Sequence, residues 1–356
     1  MTNPYPLRQI YFYLTEGCNL ACRHCWLAPK LDADGSRYPT LSVELFASIL
    51  QEAKPLGLSN VKLTGGEPLL HPHFDQLLEI VASEALGLTI ETNGLLMTPA
   101  LAARIAQFPR RFVLVSVDGA DAATHEWVRG VPGAFDAATR AVRLLAEAGL
   151  RPQMIFSVMR YNADQVEAVI RLAETLGAAS LKFNVVQPTA RGEKLAEADQ
   201  TLSVAELIAL GRRVEYELAA NTPLKLFFDF PQAFRTMSRI ASGEDCAVCG
   251  ILGILGVIAS GHYALCGIGE HVPELVFGLA GQDALAEVWN GHPVLRQLRQ
   301  GLPARLEGIC GRCLMKYRCL GSCVAQNYYR SGNLWAPFWF CEEADKAGLF
   351  PASRRI

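Results

Sequence analysis

From residue 26 to residue 245 this 356-residue chain has no cysteine, although it contains eleven. They sit near its two ends, as Cys18, Cys22 and Cys25, then Cys246, Cys249, Cys266, Cys310, Cys313, Cys319, Cys323 and Cys341. Such clustering, in a chain this long, is unlike the disulfide framework of a small secreted domain. Residues 1–8 are polar and contain proline, so no secretory signal is read there and the expected compartment is the cytoplasm. Long hydrophobic runs are also missing. The most apolar stretch, residues 250–259 (GILGILGVIA), is far short of the roughly 20 residues of a membrane-spanning helix; with Ser260-Gly261 as a turn and residues 262–265 returning, it reads as the first hairpin of a C-terminal domain. Net charge is only −2, which gives no pull toward nucleic acid or an anionic membrane. No internal repeat or low-complexity segment interrupts the chain. At 51% hydrophobic and 19% charged residues, it can bury a large core.

Residues 15–26 read TEGCNLACRHCW, with Cys18, Cys22 and Cys25 spaced Cys-x3-Cys-x2-Cys. Three thiolates in one short loop can hold three irons of a cubane cluster and leave the fourth iron without a protein ligand. A closed zinc site would need a fourth Cys or His. His24 is the only local candidate, and its place between Cys22 and Cys25 directs it away from the site its neighbours face.

Together with KLTGGEP at residues 62–68, this spacing resembles the signature of the radical S-adenosylmethionine (SAM) superfamily. The resemblance implies that SAM chelates the open iron and is cleaved reductively to a 5′-deoxyadenosyl radical. Glu67 would accept hydrogen bonds from the SAM amino group, and Gly65 and Gly66 would let backbone approach the cofactor. By position, Ser116 of SVDG would meet the methionine or ribose region and Arg129 of HEWVRG the SAM carboxylate. Asn93 of TNG and the backbone of residues 185–187, beginning with Val185, would complete the site, with His24 standing near adenine. Plainer readings stay open: Gly65-Gly66 and Asn93-Gly94 are good turns in any α/β protein, and Arg129 suits a surface ion pair.

Strand-like runs at 9–15, 60–64, 88–92, 112–117, 152–160 and 180–186 alternate with helical patterns at 42–53, 74–85, 99–107, 135–148, 163–176 and 203–220. That order predicts an α/β fold with a parallel sheet. In the family it is a partial (β/α)6 TIM-like barrel, open on one side, with chemistry at the C-terminal strand ends.

The C-terminal cysteines resemble the SPASM auxiliary-cluster domain: Cys249, then GHYALC ending at Cys266, then Cys310, Cys313, Cys319, Cys323 and Cys341. Its ligand partition implies auxiliary cluster I on Cys246, Cys249, Cys266 and Cys323, and auxiliary cluster II on Cys310, Cys313, Cys319 and Cys341. With the first site that makes three [4Fe-4S] clusters. Zinc ribbons compete for the last eight cysteines, since softness alone does not separate zinc from clusters. The expected organisation is a barrel over 1–220, a bridge over 221–245 and a SPASM domain over 246–356.

Relatives with this layout mostly act on peptides. Sulfatase-maturing enzymes place an Asp after the cysteine that corresponds to Cys266, whereas here Gly267 follows. The expectation is therefore an oxidoreductase similar to the pyrroloquinoline-quinone-type maturases, crosslinking a ribosomally made peptide through a carbon–carbon or carbon–heteroatom bond. Expected partners are the peptide, an external electron donor such as a flavodoxin or ferredoxin, and a separate leader-recognition protein, because only 17 residues precede Cys18. Rival readings are a radical enzyme of a small-molecule or haem-related pathway, and a zinc-stabilised binding protein.

Overall fold

Residues along the strands alternate in kind because the two faces of the sheet meet different surroundings. In the computed structural model, which describes residues 5–243 and 249–356, strand β1 (Gln9–Tyr13) buries Ile10 and Phe12 in the main core. Its Tyr11 and Tyr13 face an internal cavity instead. Strand β2 (Asn60–Thr64) repeats the pattern, with Val61 and Leu63 in the core and Lys62 and Thr64 on the cavity. Parallel strands covered on both faces usually read as continuous apolar runs. Here the polar alternates mark a lumen that encloses space.

Parallel pairing continues through β3 (Gly87–Thr92), β4 (Arg111–Ser116), β5 (Gln153–Val158) and β6 (Ser180–Val185). These are the six expected strands, and two more join them. Strand β7 (Lys225–Phe228) pairs parallel with β6, and β8 (Ile254–Val257) pairs parallel with β1. From β8 the sheet runs on antiparallel into β9 (His262–Ala264) and β10 (Val276–Leu279). One ten-stranded sheet results, ordered β10-β9-β8-β1-β2-β3-β4-β5-β6-β7. Among the described residues β7 and β8 do not pair, so the barrel stays open between them. The apolar run that suggested a separate hairpin does form one, but its first strand lies against β1.

Helices pack outside the strands: α1 (Val43–Ala53), α2 (Phe74–Ser83), α3 (Pro99–Ala106), α4 (Ala122–Arg129), α5 (Ala134–Glu147), α6 (Val166–Thr175), α7 (Arg191–Glu197) and α8 (Val204–Arg212). Ser42 caps α1 by accepting from the Leu45 amide, and Ser203 with Glu206 forms a capping box on α8. The pattern over 203–220 suggested one helix. Instead α8 stops at Arg212 and widens into a π-turn, Arg213–Glu217, whose buried Glu215 lies 3.0 Å from Arg239. Helices α4 and α7 were not expected. No helix of the described residues is long and apolar enough to cross a membrane.

Candidate active site

The cysteine loop is held by the unexpected helix. Helix α4 starts at Asp121, whose carboxylate accepts from the Thr124 amide, and ends at Gly130 in the left-handed region. Its last carbonyls, on Val128 and Arg129, accept from the amides of Arg23 and Ala21 inside the loop, at 2.9 and 3.0 Å. A side chain at Gly130 would meet the Ala21 carbonyl at 2.8 Å, so only glycine lets the helix end approach the loop. Cys18, Cys22 and Cys25 pack together with Leu20, Leu95, Val131 and Ala134. All three line the internal cavity, of about 380 Å³.

Two side chains donate to these sulfurs. Arg129 brings Nη1 to 3.5 Å from Cys22 Sγ, and Asn93 brings Nδ2 to 3.9 Å from Cys18 Sγ. Burial pushes the thiols of Cys18 and Cys22 upward, while Arg129 opposes the shift at Cys22. Arg129 is therefore not a surface ion pair: it is buried, with Nε 2.8 Å from Oδ2 of the fully buried Asp118. The Ser157 amide donates to the other Asp118 oxygen at 2.7 Å. Burial is the largest influence on the Asp118 carboxyl and would raise it, but Arg129, His24, the Ser157 amide and His125 together outweigh burial and keep the group below the usual carboxylate range. His24 turns toward this carboxylate, 3.7 Å from Oδ2, and burial lowers its pKa to about 4, so it is neutral.

The Gly65-Gly66-Glu67 loop packs on the cysteine loop. A Cβ on Gly66 would stand 1.8 Å from the Gly17 carbonyl, and one on Gly65, at φ +128°, would stand 2.9 Å from the Leu14 amide. The glycines thus make room for neighbouring backbone, and the amides of Gly66 and Glu67 donate to Thr15 and Gly17. Glu67 is buried; it accepts from the amides of Leu69 and Asn93 and, at 2.5 Å, from Thr92 Oγ1. Burial raises its pKa to about 7 despite these donors. Ser116, Asn93 and Val185 line the same cavity, although the Val185 carbonyl already accepts from the Gln187 side chain.

The same cavity is also lined by Cys249, Cys266 and Cys323. Each sulfur accepts from backbone amides: Ile251 for Cys249, Ile268 for Cys266, Ala325 and Gln326 for Cys323. Cys246 lies outside the described residues. Cys310, Cys313, Cys319 and Cys341 line a separate cavity with Pro231, Leu306 and Phe350. The sulfur of Cys310 accepts from the Phe338 amide, that of Cys313 from the Met315 amide and that of Cys319 from the amides of Ser322 and Gln232, while Cys341 donates to Cys310. Burial pushes Cys323 to about 11 and Cys266 and Cys319 to about 12. The ten described cysteines are all free. Among the described residues no three His, Cys, Asp or Glu side chains converge as one metal ion would require; the sulfurs line cavity walls instead.

Sequence reasoning missed the charges between the two cysteine groups. Lys62 pairs with Glu91, and Lys182 lies 3.9 Å from Asp229, all on the cavity wall. Their signal was present as charged residues inside the strands, Lys62, Glu91 and Lys182, and just after one, Asp229.

Comparison with known proteins places this geometry. The sequence model of the Radical SAM superfamily matches residues 12–173. Mycofactocin maturase MftC of Mycobacterium ulcerans is 31% identical over 325 residues, covering 89% of this chain and 82% of that protein. The chain belongs to the radical SAM superfamily. AdoMet-dependent heme synthase of Methanosarcina barkeri is 29% identical over 343 residues, covering 92% of the chain and 93% of that protein. The crystal structure of Streptococcus suis SuiB bound to S-adenosylmethionine shares the fold, with a TM-score of 0.74 at 18% identity, over 95% of this chain and 77% of that one. As a radical SAM enzyme the protein uses SAM and a [4Fe-4S] cluster, which excludes the zinc-stabilised binding protein. The three-sulfur loop, faced by the Arg129 and Asn93 donors and open to a cavity, fits such a cluster.

Proposed function

We propose that this radical SAM enzyme oxidatively modifies a ribosomally made peptide, forming a carbon–carbon or carbon–heteroatom bond. One observation carries the reading: a single cavity is lined both by Cys18, Cys22 and Cys25 and by Cys249, Cys266 and Cys323. A substrate held there lies between a place where hydrogen is removed and a place where an electron leaves. When bound, SAM on its cluster supplies a carbon radical able to take a hydrogen atom from an unactivated carbon. The chain's own residues do the rest. Cys18, Cys22 and Cys25 ligate, Arg129 holds positive charge beside Cys22, and Asp118 fixes Arg129. Glu67, Ser116, Asn93, Gly65, Gly66 and Val185 shape the SAM pocket. Trp26, Leu27, Ile155, Val186 and Ile268 wall the cavity with apolar surface that excludes water.

In the same reading Cys246, Cys249, Cys266 and Cys323 hold auxiliary cluster I, and Cys310, Cys313, Cys319 and Cys341 hold auxiliary cluster II, making three [4Fe-4S] clusters. Backbone amides aimed at the sulfurs of Cys249, Cys266, Cys323, Cys310, Cys313 and Cys319 support it, because they favour thiolate over thiol. The barrel would occupy 1–220, the bridge 221–245 and the SPASM domain 246–356. The enzyme would work in the cytoplasm with an external electron donor and a separate leader-recognition protein. A peptide substrate is favoured by MftC; the heme synthase relative, covered over nearly its whole length, favours a step of a haem-related pathway as the second reading. Anaerobic incubation of the reconstituted enzyme with SAM, a reductant and either short peptides encoded beside its gene or an iron porphyrin decides between them. Mass loss of two hydrogens from a peptide supports the first; modification of the porphyrin alone replaces it with the second.

A further inference from the structure

The loop that carries Cys18, Cys22 and Cys25 has its amides held by the end of α4, and its carbonyls are held from elsewhere. Arg191, at the start of α7, donates from Nη1 to the Cys22 carbonyl at 3.3 Å and from Nη2 to the Pro29 carbonyl at 2.5 Å. Between these two lies the carbonyl of Trp26, the residue after Cys25. Its partner comes from the last third of the chain: His271, with Nε2 at 2.9 Å. A carbonyl only accepts, so Nε2 carries the proton. His271 is not among the residues that line the cavity, and the proposed reaction does not use it.

The backbone around His271 is tightly closed. In the turn that begins at Cys266, the Gly269 amide donates to the Cys266 carbonyl at 3.2 Å, and the amides of His271 and Val272 both donate to the Ile268 carbonyl at 2.9 Å. The imidazole meets the Tyr329 ring edge-on at 6.3 Å, and the Tyr329 hydroxyl donates to Glu193 of α7 at 3.4 Å. The same turn packs directly on the cysteine loop. A Cβ on Gly267 would stand 2.5 Å from the Tyr13 ring and 2.6 Å from the Leu27 side chain, so a larger residue would push the turn off the loop. That contact gives a physical reason for glycine at the position where sulfatase-maturing enzymes place an Asp. Tyr13, Ile258 and Ala264, with Trp26 and Leu27 packed against them, form one apolar cluster across the junction.

We infer that His271 is a positioning residue for SAM cleavage: the turn after Cys266 sets the path of the chain at Cys25 by holding the Trp26 carbonyl. The inference rests on membership of the radical SAM superfamily and on nothing that the C-terminal sulfurs hold. Because the carbonyl lies one residue beyond Cys25, the backbone passes any displacement there to that sulfur. Reaction rates fall steeply when a reacting group moves by about 1 Å, and partners that orient metal ligands from outside commonly matter about 10- to 100-fold. Acting through one intervening residue, His271 belongs at the lower end of that range.

The test uses the full-length reconstituted enzyme with dithionite and SAM alone. Wild type is compared with His271→Ala, His271→Asn and His271→Gln; the two amides differ by one methylene, and only glutamine brings an N–H as far as Nε2. His271→Ala and His271→Asn are expected to slow formation of 5′-deoxyadenosine about tenfold, in kcat and not in KM for SAM, with bound iron unchanged. Hydrogen–deuterium exchange of the same proteins is expected to quicken in residues 18–31 and to stay as in the wild type in β3 to β6. His271→Gln should restore both most of the rate and the slow exchange. Wild-type rate and loop exchange in folded His271→Asn overturn the inference. So does a loss that glutamine does not recover and that comes with faster exchange throughout the sheet, because His271 would then be a general packing residue. The exchange measurement decides alone where cleavage without a second substrate is too slow to follow, and the asparagine–glutamine pair decides where His271→Ala does not fold.

Discussion

The two cysteine-bearing ends of the molecule hold their sulfurs by different means. In the barrel, Cys22 and Cys18 are faced by side chains, the Arg129 guanidinium and the Asn93 amide, which reach them from α4 and from the end of β3, with the Leu20 backbone amide added at Cys18. In the C-terminal part the sulfurs of Cys249, Cys266, Cys310, Cys313, Cys319 and Cys323 are served by backbone amides, from their own turns and, at Cys310 and Cys319, from the distant Phe338 and Gln232. Side-chain donors can be removed one at a time without redirecting the chain. Backbone donors persist only while the turn keeps its path. The first site is therefore tunable, and the later ones are set by how the chain is folded.

The largest effect should come from emptying the tunable site. Replacing Cys18, Cys22 and Cys25 together by Ala should lower bound iron from about twelve to about eight per chain and abolish SAM cleavage. Iron analysis and detection of 5′-deoxyadenosine check it; retained cleavage would end the assignment. Next comes Asp118→Asn, which leaves Arg129 buried without its carboxylate. Breaking a buried pair in this way costs roughly 3 to 5 kcal/mol, which denaturant unfolding should register. Because Asp118 also fixes the guanidinium at Cys22, SAM cleavage should fall even in the folded fraction. Arg129→Gln in the same background should recover part of the lost stability but not the cleavage.

On the backbone-held side, Cys323→Ala should spare SAM cleavage and eliminate product, provided circular dichroism shows the barrel folded. A folded variant that forms product at the wild-type rate would make that sulfur group purely structural.

The smallest effect is a proton. Burial holds Glu67 near pKa 7, against an ordinary value of 4.5, so near pH 6 it is largely neutral. Its contribution to folding is therefore fullest below about 4.5 and is lost as pH rises through 7. An ammonium group placed beside it favours the carboxylate, so SAM binding should release close to one proton at pH 6 and none above pH 8. Calorimetry in buffers of different ionisation enthalpy reads this directly, and Glu67→Gln should erase the difference.

Much of the fold was legible because strand burial imposes a period of two, and six strands were found within one or two residues of their ends. Helix α4 was not, since the face of AATHEWVR that it buries carries Thr124, His125 and Arg129 beside Val128, polar residues that do not read as a core-facing stripe. That gap hid the clamp on the cysteine loop and, with it, the role of Asp118. The motif drew attention to Ser116 because a resemblance points to residues near the cofactor; the fully buried carboxylate two positions on is what holds Arg129. Strand β8 was readable as a strand but not as a partner of β1, for nothing in ten apolar residues says which edge they will cover. The glycine pair was legible as glycine-dependent, while its reason, passage of one loop over another, needed three dimensions.

Strand β1, which leads into the cysteine loop, has β2 on one side and β8, from beyond residue 250, on the other. The protein cannot then be treated as a catalytic cassette with a detachable attachment. A chain cut after residue 243 would leave the full length of β1 as a bare, sticky edge beside the reactive loop, inviting fibrillar self-association. Grafting another C-terminal half would have to match that strand's register before any exchange of chemistry could begin. Interdependence of this kind means that damage to the last third of the chain should be felt first as lost solubility of the whole.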